Sequence, residues 1–319
     1  MDFTDFRAGT NDSGRKLDRI LRHIFKSSTG TNIYSAMRKR LIKVNGAKAS
    51  ADMVLKEGDI ISIASFLFEN KKNTHDNDEK IMFQTLFRNS HIWIINKPYD
   101  INVQPSQSGE KSIAEIIAAQ HDYSTSIAFT PAPLHRLDRY TTGVLAVSQS
   151  YKGAVWFSQA IASHQIQKKY IGIAEGIINH PETWKDSIEN LYTEGNTFHT
   201  VKISESGKQA VTHVKPLACG IYKGCPVTLA QYEIETGRKH QIRMQSSFHG
   251  HPLLGDSAYR ASMLIDTPFR HSFFLHACQI LIPKDNSLEL PECVTAPLSS
   301  DFKAFMKFSL LKWDNETII

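Results

Sequence analysis

A lone carboxylate in a basic loop is the first feature of this sequence that could do chemistry. Asp138 lies in the stretch PLHRLDRYTTGVLAVSQS, flanked by His135, Arg136 and Arg139 and followed by a polar turn and the apolar run 144–147. Nearby positive charge keeps a carboxylate ionised, so Asp138 is a poor proton donor near neutral pH. It is suited instead to attack an electrophile or to stabilise positive charge. A structural salt bridge is the alternative interpretation of the same loop.

A second basic stretch, ETGRKHQIRMQSSFHGHPLLGDSAY, spans residues 235–259. Its first cations are Arg238, Lys239, His240 and Arg243. If this segment is the start of a helix that follows a strand, its free N–H groups and these cations predict a site for an anion or a phosphate. Helical spacing predicts that Lys239 and Arg243 share one face. The pattern favours a nucleic-acid ligand.

Motifs for bound nucleotides and metals are absent from the sequence. Neither the P-loop pattern GxxxxGK nor the dinucleotide pattern GxGxxG occurs, so neither ATP nor a dinucleotide is expected. His249-Gly-His251 lacks the spacing of a metal site, and no CxxC or HExxH supports one. We therefore predict no cofactor and no metal.

Composition places the chain among globular proteins. Of its 319 residues, 41% are hydrophobic and 22% are charged. No apolar run is long enough to span a membrane, and the N-terminus lacks a signal-peptide pattern, so no membrane partner is expected. The four cysteines lie far apart, which is typical of reduced thiols in a cytoplasmic protein. We expect a monomer.

The net charge of +5 is concentrated at the N-terminal end. Residues 1–65 contain twelve Lys and Arg against seven Asp and Glu, and the rest of the chain is balanced. A polyanionic partner held by a small N-terminal module explains this distribution. A solvated basic face explains it equally well.

The sequence predicts two domains joined by a linker. Two short amphipathic helices, a turn at Asn45-Gly46 and an alternating segment predict a small basic domain over residues 1–68, with Leu41 still on the inner face of the second helix. A linker is predicted over residues 69–84, because the run ENKKNTHDNDEK has no apolar residue. Residues 85–319 alternate between strands and helices, which predicts an α+β domain around a large mixed, mainly antiparallel sheet.

Five motifs then appear in a recognisable order. They are HRLDRYTTGVLAV, KKYIGIAEG, SGKQAVTHVKPL, TGRKHQIRMQSSFHGHPLLGD and FLHA. Residues 85–300 resemble the RluA family of pseudouridine synthases, which implies the pseudouridine synthase fold with a central cleft. The N-terminal MRKRLIKVNG resembles the small α/β RNA-binding domain first known from ribosomal protein S-four. The pairing resembles the RluC and RluD branch, which implies activity on large-subunit ribosomal RNA.

The resemblance also implies roles for individual residues. Asp138 matches the catalytic aspartate, and Arg243 matches the arginine that pairs with it. Tyr170 matches the tyrosine that stacks on the target base, and Arg136 matches the arginine that fills the gap left by the flipped uridine. Further RNA contacts are expected from His135, Arg139, Thr142, Arg238, Lys239, His240 and Gln241, and, in the N-terminal module, from Arg38, Lys39, Arg40 and Lys43.

The match to the family is incomplete, and other functions stay open. Thr142 replaces a serine of the usual Thr-Ser-Gly, while Lys239 and Gln245 replace a threonine and a histidine. These departures leave the RNA specificity open, including a transfer RNA substrate, but spare the catalytic residues. Two rival interpretations are an N-glycosidase that releases uracil and a ribosome-assembly factor that binds RNA without catalysis. The residues leave open whether the aspartate attacks the sugar, attacks the base or stabilises the sugar.

Overall fold

The computed structural model describes residues 2–25, 32–68, 82–106, 109–120, 126–191, 200–265, 272–309 and 311. Most of the predicted linker, residues 69–81, lies outside this part of the chain. The strands are β1 (Phe3–Arg7), β2 (Ile42–Val44), β3 (Ala47–Lys48), β4 (Ile60–Ala64), β5 (Gln84–Arg88), β6 (Ile92–Lys97), β7 (Thr142–Ser148), β8 (Gln167–Glu175), β9 (Glu182–Asn190), β10 (Val201–Ile203), β11 (Lys208–Tyr222), β12 (Cys225–Ile234), β13 (Leu275–Leu281) and β14 (Cys293–Thr295). The helices are α1 (Leu17–Ile24), α2 (Ile33–Arg38), α3 (Ile113–Ala119), α4 (Tyr151–Ala162), α5 (Gln241–Phe248) and α6 (Ser300–Phe308).

The described residues between 2 and 68 form an N-terminal unit with its own sheet and core. The sheet has the strand order β1-β4-β2-β3, and every pairing in it is antiparallel. Helix α1 buries Leu17, Ile20, Leu21 and Ile24 against it, as the helical spacing predicts. The predicted turn is also present, since Asn45 and Gly46 both have positive φ between β2 and β3.

The second helix is shorter than the sequence predicts. Helix α2 ends at Arg38, and Arg40 takes a left-handed conformation with φ of 56°. The prediction that Leu41 continues the inner face of this helix is therefore wrong. The chain turns there because Ile42 and Val44 are needed as the buried residues of a strand that pairs with β4.

The large unit is built on a ten-stranded sheet. Nine strands follow the order β10-β9-β11-β12-β8-β13-β7-β6-β5, and β14 pairs with β13. Among these pairings, β13 and β7 run parallel and the others are antiparallel. The α+β class and the large, mainly antiparallel sheet predicted from the sequence are confirmed.

Strand β7 lies between β13 and β6 in the large sheet and is buried along its whole length. Successive side chains of a strand point to opposite faces, so each face of β7 has its own core. Leu145 and Val147 pack in one hydrophobic cluster with residues of α3, while Val144 and Ala146 pack in another with residues of α4. The loop that carries Asp138 enters this strand directly, so its end is firmly anchored.

A buried carboxylate joins the two units. Asp12, which is fully buried, accepts hydrogen bonds from Gly9 N at 3.0 Å, Ser126 Oγ at 2.8 Å, Ile127 N at 2.9 Å and Ala128 N at 3.2 Å. Ala128 also belongs to the hydrophobic core of the N-terminal unit. The segment 126–128 of the large unit is thus part of the core of the N-terminal unit. None of the helices in the described parts of the chain is long and apolar enough to cross a membrane.

Candidate active site

A buried lysine shapes the loop that presents Asp138. Lys97, at the end of β6, is fully buried, and its Nζ donates to Pro98 O at 2.9 Å, Arg139 O at 2.8 Å and Thr141 O at 2.9 Å. Burial lowers the pKa of Lys97 to about 7, against the opposing effect of the Asp138 charge. The turn itself is closed by a hydrogen bond from Thr141 N to Asp138 O at 3.0 Å. Three fixed carbonyl groups thus hold the backbone on both sides of the turn.

Arg243 approaches Asp138 from the first turn of α5. Its Nη1 lies 3.4 Å from Asp138 Oδ2, while its Nε and Nη2 donate to the two oxygens of Asp256 at 2.7 and 2.8 Å. The guanidinium lies 4.9 Å from the ring centre of Tyr259 and 4.5 Å from that of Phe273. Burial lowers the pKa of Arg243, but its hydrogen bond with Asp256 and the charges of Asp256 and Asp138 outweigh this effect and raise the pKa above its ordinary value. A permanent positive charge therefore faces Asp138.

His240 presents a neutral ring to the other oxygen of Asp138. It has φ of 50°, and its Nε2 lies 3.7 Å from Asp138 Oδ1. Its Nδ1 lies 2.7 Å from the hydroxyl of Tyr259, which accepts a hydrogen bond from Val201 N at 3.2 Å. The Tyr259 hydroxyl therefore fixes the orientation of the His240 ring beside the carboxylate. Burial lowers the pKa of His240 to about 4, so the ring is neutral at pH 7.

Tyr170 lies on β8 and lines the same cleft as Asp138. Its side chain is largely buried. Burial and the charge of Asp138 both raise the pKa of its hydroxyl, which is therefore protonated throughout the physiological range. The hydroxyl can donate a hydrogen bond, and the ring offers a flat face to a base.

These groups meet in a cleft of about 470 Å³. Its charged lining consists of five cations and two carboxylates: Arg136, Lys168, Arg238, Lys239 and Arg243, with Asp138 and Glu235. The volume is in the range of ligand pockets, which is about 300–1,000 Å³. An ionised carboxylate in a cleft whose other charges are mostly positive can stabilise a developing cation while the surrounding cations hold an anionic ligand.

Most of the residues predicted to contact a ligand reach this cleft, but some do not. Arg136 and Arg238 line the cleft and are exposed, whereas Lys239 and His240 line it and are half-buried. Arg139 points elsewhere, into ion pairs with Asp100 at 2.6 Å and Glu110 at 2.9 Å. In the N-terminal unit, residues 38–40 are exposed, and Lys43 lies over the ring of Phe3.

Three other predicted contacts are occupied by internal hydrogen bonds. The hydroxyl of Thr142 is buried and lies 2.7 Å from His276 Nδ1, away from the cleft. Gln241 accepts from Thr236 Oγ1 and Arg238 N and donates to Val211 O and Thr212 Oγ1. His135 lines the cleft, but its Nε2 accepts from Ala146 N at 3.0 Å. These side chains therefore shape the site from behind instead of being offered to a ligand.

The helix after the second basic stretch begins later than predicted. Its first residue is Gln241, and the left-handed His240 precedes it. Lys239 therefore lies in the loop, and the prediction that it shares a helical face with Arg243 is wrong. Both residues still line the cleft, because the loop folds back over it.

Three charged residues of the site were missed by the sequence analysis. Asp256 lies inside the motif that ends in LLGD, and Lys97 lies in the segment HIWIINKP, so both had a positional signal. The only sequence signal for Lys168 is its position two residues before Tyr170, which places both side chains on one face of β8. Their roles follow from burial and from neighbours distant in sequence.

Comparison with known proteins identifies the family. A family model described as RNA pseudouridylate synthase matches residues 91–248, which include the Asp138 loop, Tyr170 and Arg243. The protein named uncharacterized RNA pseudouridine synthase YjbO, from Bacillus subtilis strain 168, is 30% identical over 222 residues, 68% of this chain and 74% of that protein. The chain belongs to the RNA pseudouridine synthase family. It is an isomerase that forms pseudouridine in RNA.

This synthase is also similar to a ribosomal large subunit pseudouridine synthase in sequence and to a solved structure in fold. The ribosomal large subunit pseudouridine synthase C of Rickettsia typhi is 28% identical over 280 residues, 84% of this chain and 88% of that protein. The solved structure of human RNA Pseudouridylate Synthase Domain Containing 4 matches with a TM-score of 0.57 and 22% identity, over 73% of this chain and 95% of that one. The second likeness shows the pseudouridine synthase fold. In the described parts of the synthase, no cluster of three or more His, Cys, Asp or Glu could hold a metal ion.

Proposed function

We propose that this synthase isomerises uridines of large-subunit ribosomal RNA and that Asp138 is the carboxylate that carries the reaction. The isomerisation breaks the bond from N1 of uracil to the sugar, joins carbon 5 to the sugar and moves the carbon-5 proton away. No electrons enter or leave, so the reaction needs neither an oxidant nor an energy source. The observation that carries the proposal is the position of Asp138 between Arg243 and His240 in the cleft.

The surroundings of Asp138 support each chemical role open to it. The carboxylate of Asp138 lies 3.4 Å from the guanidinium of Arg243, and it can attack the sugar or the base, or stabilise the sugar while the glycosidic bond is open. The apolar cores on both faces of β7 lie directly behind its loop. They support a dry site, which protects an opened glycosidic bond from water.

Tyr170 and Arg136 complete the proposed site. The ring of Tyr170 would stack on the target uracil, and its protonated hydroxyl would take part in removal of the carbon-5 proton. Arg136 is exposed at the cleft, where it would fill the space that the flipped uridine leaves in the RNA.

The choice of ribosomal RNA rests on two observations. The Rickettsia typhi relative is named for the large ribosomal subunit and covers most of the chain. The excess positive charge lies in the N-terminal unit, where Arg38, Lys39 and Arg40 are exposed. Residues 1–68 would then be an RNA-binding domain, residues 69–84 a linker and residues 85–319 the catalytic domain.

Replacement of Asp138 by Asn tests the proposal. The amide has nearly the same size, so the loop should fold and the RNA should bind within a few fold of the parent. Loss of the charge and of the nucleophilic oxygen should remove several kcal/mol of transition-state stabilisation, a factor of thousands or more in rate. The assay is tritium release from ribosomal RNA labelled at carbon 5 of uridine, run beside a binding measurement.

Asp100→Asn is the matched control for this substitution. Asp100 has φ of 62°, which Asn tolerates, and its exposed carboxylate pairs with Arg139 outside the cleft. The control should keep nearly full turnover. Appreciable tritium release by Asp138→Asn would overturn the role of Asp138. Release of free uracil by the parent protein would indicate a hydrolase instead of an isomerase.

A further inference from the structure

Lys168 is a cation in the cleft wall for which the isomerisation itself gives no role. It is the second residue of β8 and lies two residues before Tyr170, so both side chains point to the cleft face of the strand. Its Nζ lies beside Gly237, where a built Cβ would be 3.6 Å away. Burial lowers the pKa of His135, which lines the same cleft, and the charge of Lys168 lowers it further.

This ammonium is desolvated without compensation from the protein. In the part of the chain that the structure describes, the half-buried side chain of Lys168 forms neither an ion pair nor a hydrogen bond, and burial lowers its pKa. The two buried cations of the site have partners within the protein, Lys97 in three carbonyl groups and Arg243 in Asp256. A partly desolvated charge without a partner in the protein favours a ligand that provides the opposite charge.

The cleft gathers more positive charge around this lysine. Burial lowers the pKa of Lys239, and the charges of Arg136 and Arg243 lower it further while Asp138 opposes them, so these cations repel one another. A neutral carbonyl of uracil would satisfy one N–H of Lys168 but would leave this repulsion in place. A singly charged phosphodiester relieves it and offers oxygens to the ammonium, which binds phosphate as a point charge.

We propose that Lys168 binds a phosphodiester of the RNA backbone beside the target uridine. This inference rests on the proposed function, because it takes the nucleotide at Asp138 as the one that reacts. The exposed backbone at Gly237 leaves room for the RNA strand next to the ammonium. Binding of the phosphate would then hold the flipped nucleotide in the cleft while Asp138 acts.

The test measures RNA binding in the Asp138→Asn background, where the RNA is not converted. A fragment of ribosomal RNA that contains a target uridine is titrated over a series of salt concentrations. Lys168→Met should weaken binding about five- to tenfold and should reduce the slope of log Kd against log salt by about one, since one fewer counterion is released. Lys168→Arg keeps the charge and should restore most of the slope.

Lys169→Met is the matched control, because it removes the same charge one residue away on the other face of β8. Lys169 does not line the cleft, so its replacement should change the affinity by less than about twofold and should leave the salt slope unchanged. RNAs with a single neutral methylphosphonate on either side of the target uridine then locate the contact. At one of these positions the difference between the parent and Lys168→Met should vanish.

Two results would overturn the phosphate assignment. One is an unchanged salt slope in Lys168→Met combined with lost turnover when Asp138 is intact, which would place the lysine on the uracil base or on Tyr170. The other is a Lys168→Met defect that persists at every methylphosphonate position flanking the uridine. Failure of the proposed function has a different signature, because it would appear as turnover by Asp138→Asn, which the binding series does not measure.

Discussion

Arg243 is shared unequally between two carboxylates. Its two short hydrogen bonds, 2.7 and 2.8 Å, go to Asp256, and the contact with Asp138 is 3.4 Å. A bidentate pair of this kind fixes the plane of a guanidinium. Asp256 therefore holds the arginine in place, while Asp138 keeps its charge without being tied by a short bond. Its oxygens remain available to a sugar or a base.

Buried neutral histidines make the stability of the synthase sensitive to acid. His276 lies 2.7 Å from Thr142 Oγ1 and 3.1 Å from Ala296 O, and burial lowers its pKa to about 4. The unfolded chain binds the proton near pH 6.5, so protonation favours unfolding as the pH falls from about 6.5 towards 4. The full effect of this one ring is about 3 kcal/mol, and it is absent at neutral pH.

His276→Gln should therefore reduce the pH dependence of stability while lowering stability at pH 7. Free energies of unfolding from urea titrations at pH 7 and pH 5 measure both effects. The loss of stability between the two pH values should shrink by about 1–2 kcal/mol in the variant. His180→Gln, at an exposed position, should leave this loss unchanged. An equal loss in the parent and in His276→Gln would contradict the neutral state of this ring.

At the residue scale, the sequence predicts the groups whose neighbours are close in the chain. Asp138 among its flanking bases and Arg243 in its basic stretch are of this kind. Asp256 lies thirteen positions after Arg243, and Lys97 lies 42 and 44 positions before the residues whose carbonyls it binds, so only the folded chain shows their roles. The same holds for Gln241, whose polar side chain suggests a ligand but is fully used internally.

Among the elements, β7 imposes the tightest packing constraint near the site. Gly143 has φ of 108°, and a Cβ there would lie 2.2 Å from Ala277 O on the neighbouring β13. These two strands run parallel, and their register pairs Gly143 with Ala277. A side chain at this position would separate the strands next to the loop that carries Asp138.

Gly143→Ala should destabilise the synthase far more than a comparable change elsewhere. Gly224 also has positive φ, but nothing lies within 4 Å of a Cβ built there, so Gly224→Ala isolates the backbone cost of about 1 kcal/mol. Gly143→Ala adds a clash with backbone and should cost about 3 kcal/mol or more in urea unfolding. If the two variants lose similar free energies of unfolding, β13 shifts to accommodate the added Cβ without a large cost.

Periodicity predicts most elements but not their ends. The apolar stripe of α1 and the buried run of β7 follow directly from side-chain spacing. The ends of α2 and the start of α5 depend on Arg40 and His240, both of which are left-handed. An arginine or a histidine seldom adopts this conformation, and tertiary contacts such as the hydrogen bond between His240 and Tyr259 compensate for its cost.

On the scale of the whole molecule, the two units make a specific contact. Asp12 receives three hydrogen bonds from the segment 126–128, and Asn11 Oδ1 accepts one from Tyr151 N at the start of α4. Composition predicts a separate basic module. The contact of Asp12 with residues 126–128 cannot be predicted from the sequence, because nothing in the sequence indicates that this one aspartate is buried. Deletion of residues 1–68 would uncover Ala128 and leave Ser126 without its partner, so loss of activity on deletion would be ambiguous.

Reversal of one exposed charge is a cleaner test of the N-terminal unit. Lys39→Glu should weaken binding to ribosomal RNA about three- to tenfold and should flatten its salt dependence, because fewer counterions are released. Lys303→Glu, on the exposed face of α6, changes the net charge equally and should have little effect. Equal effects of both variants would mean that net charge alone, and no local RNA contact, governs affinity.

The Asp12 contact also sets an order in which the chain can complete its folding. The partners of this carboxylate lie 114 to 116 residues further along the chain. During synthesis the N-terminal unit therefore emerges from the ribosome long before the segment that fills its core at Ala128. Until that segment arrives, the carboxylate is hydrated and the core has a gap. A fusion of the N-terminal unit to another enzyme would therefore need to include residues 126–128, because this later segment completes the core of the unit.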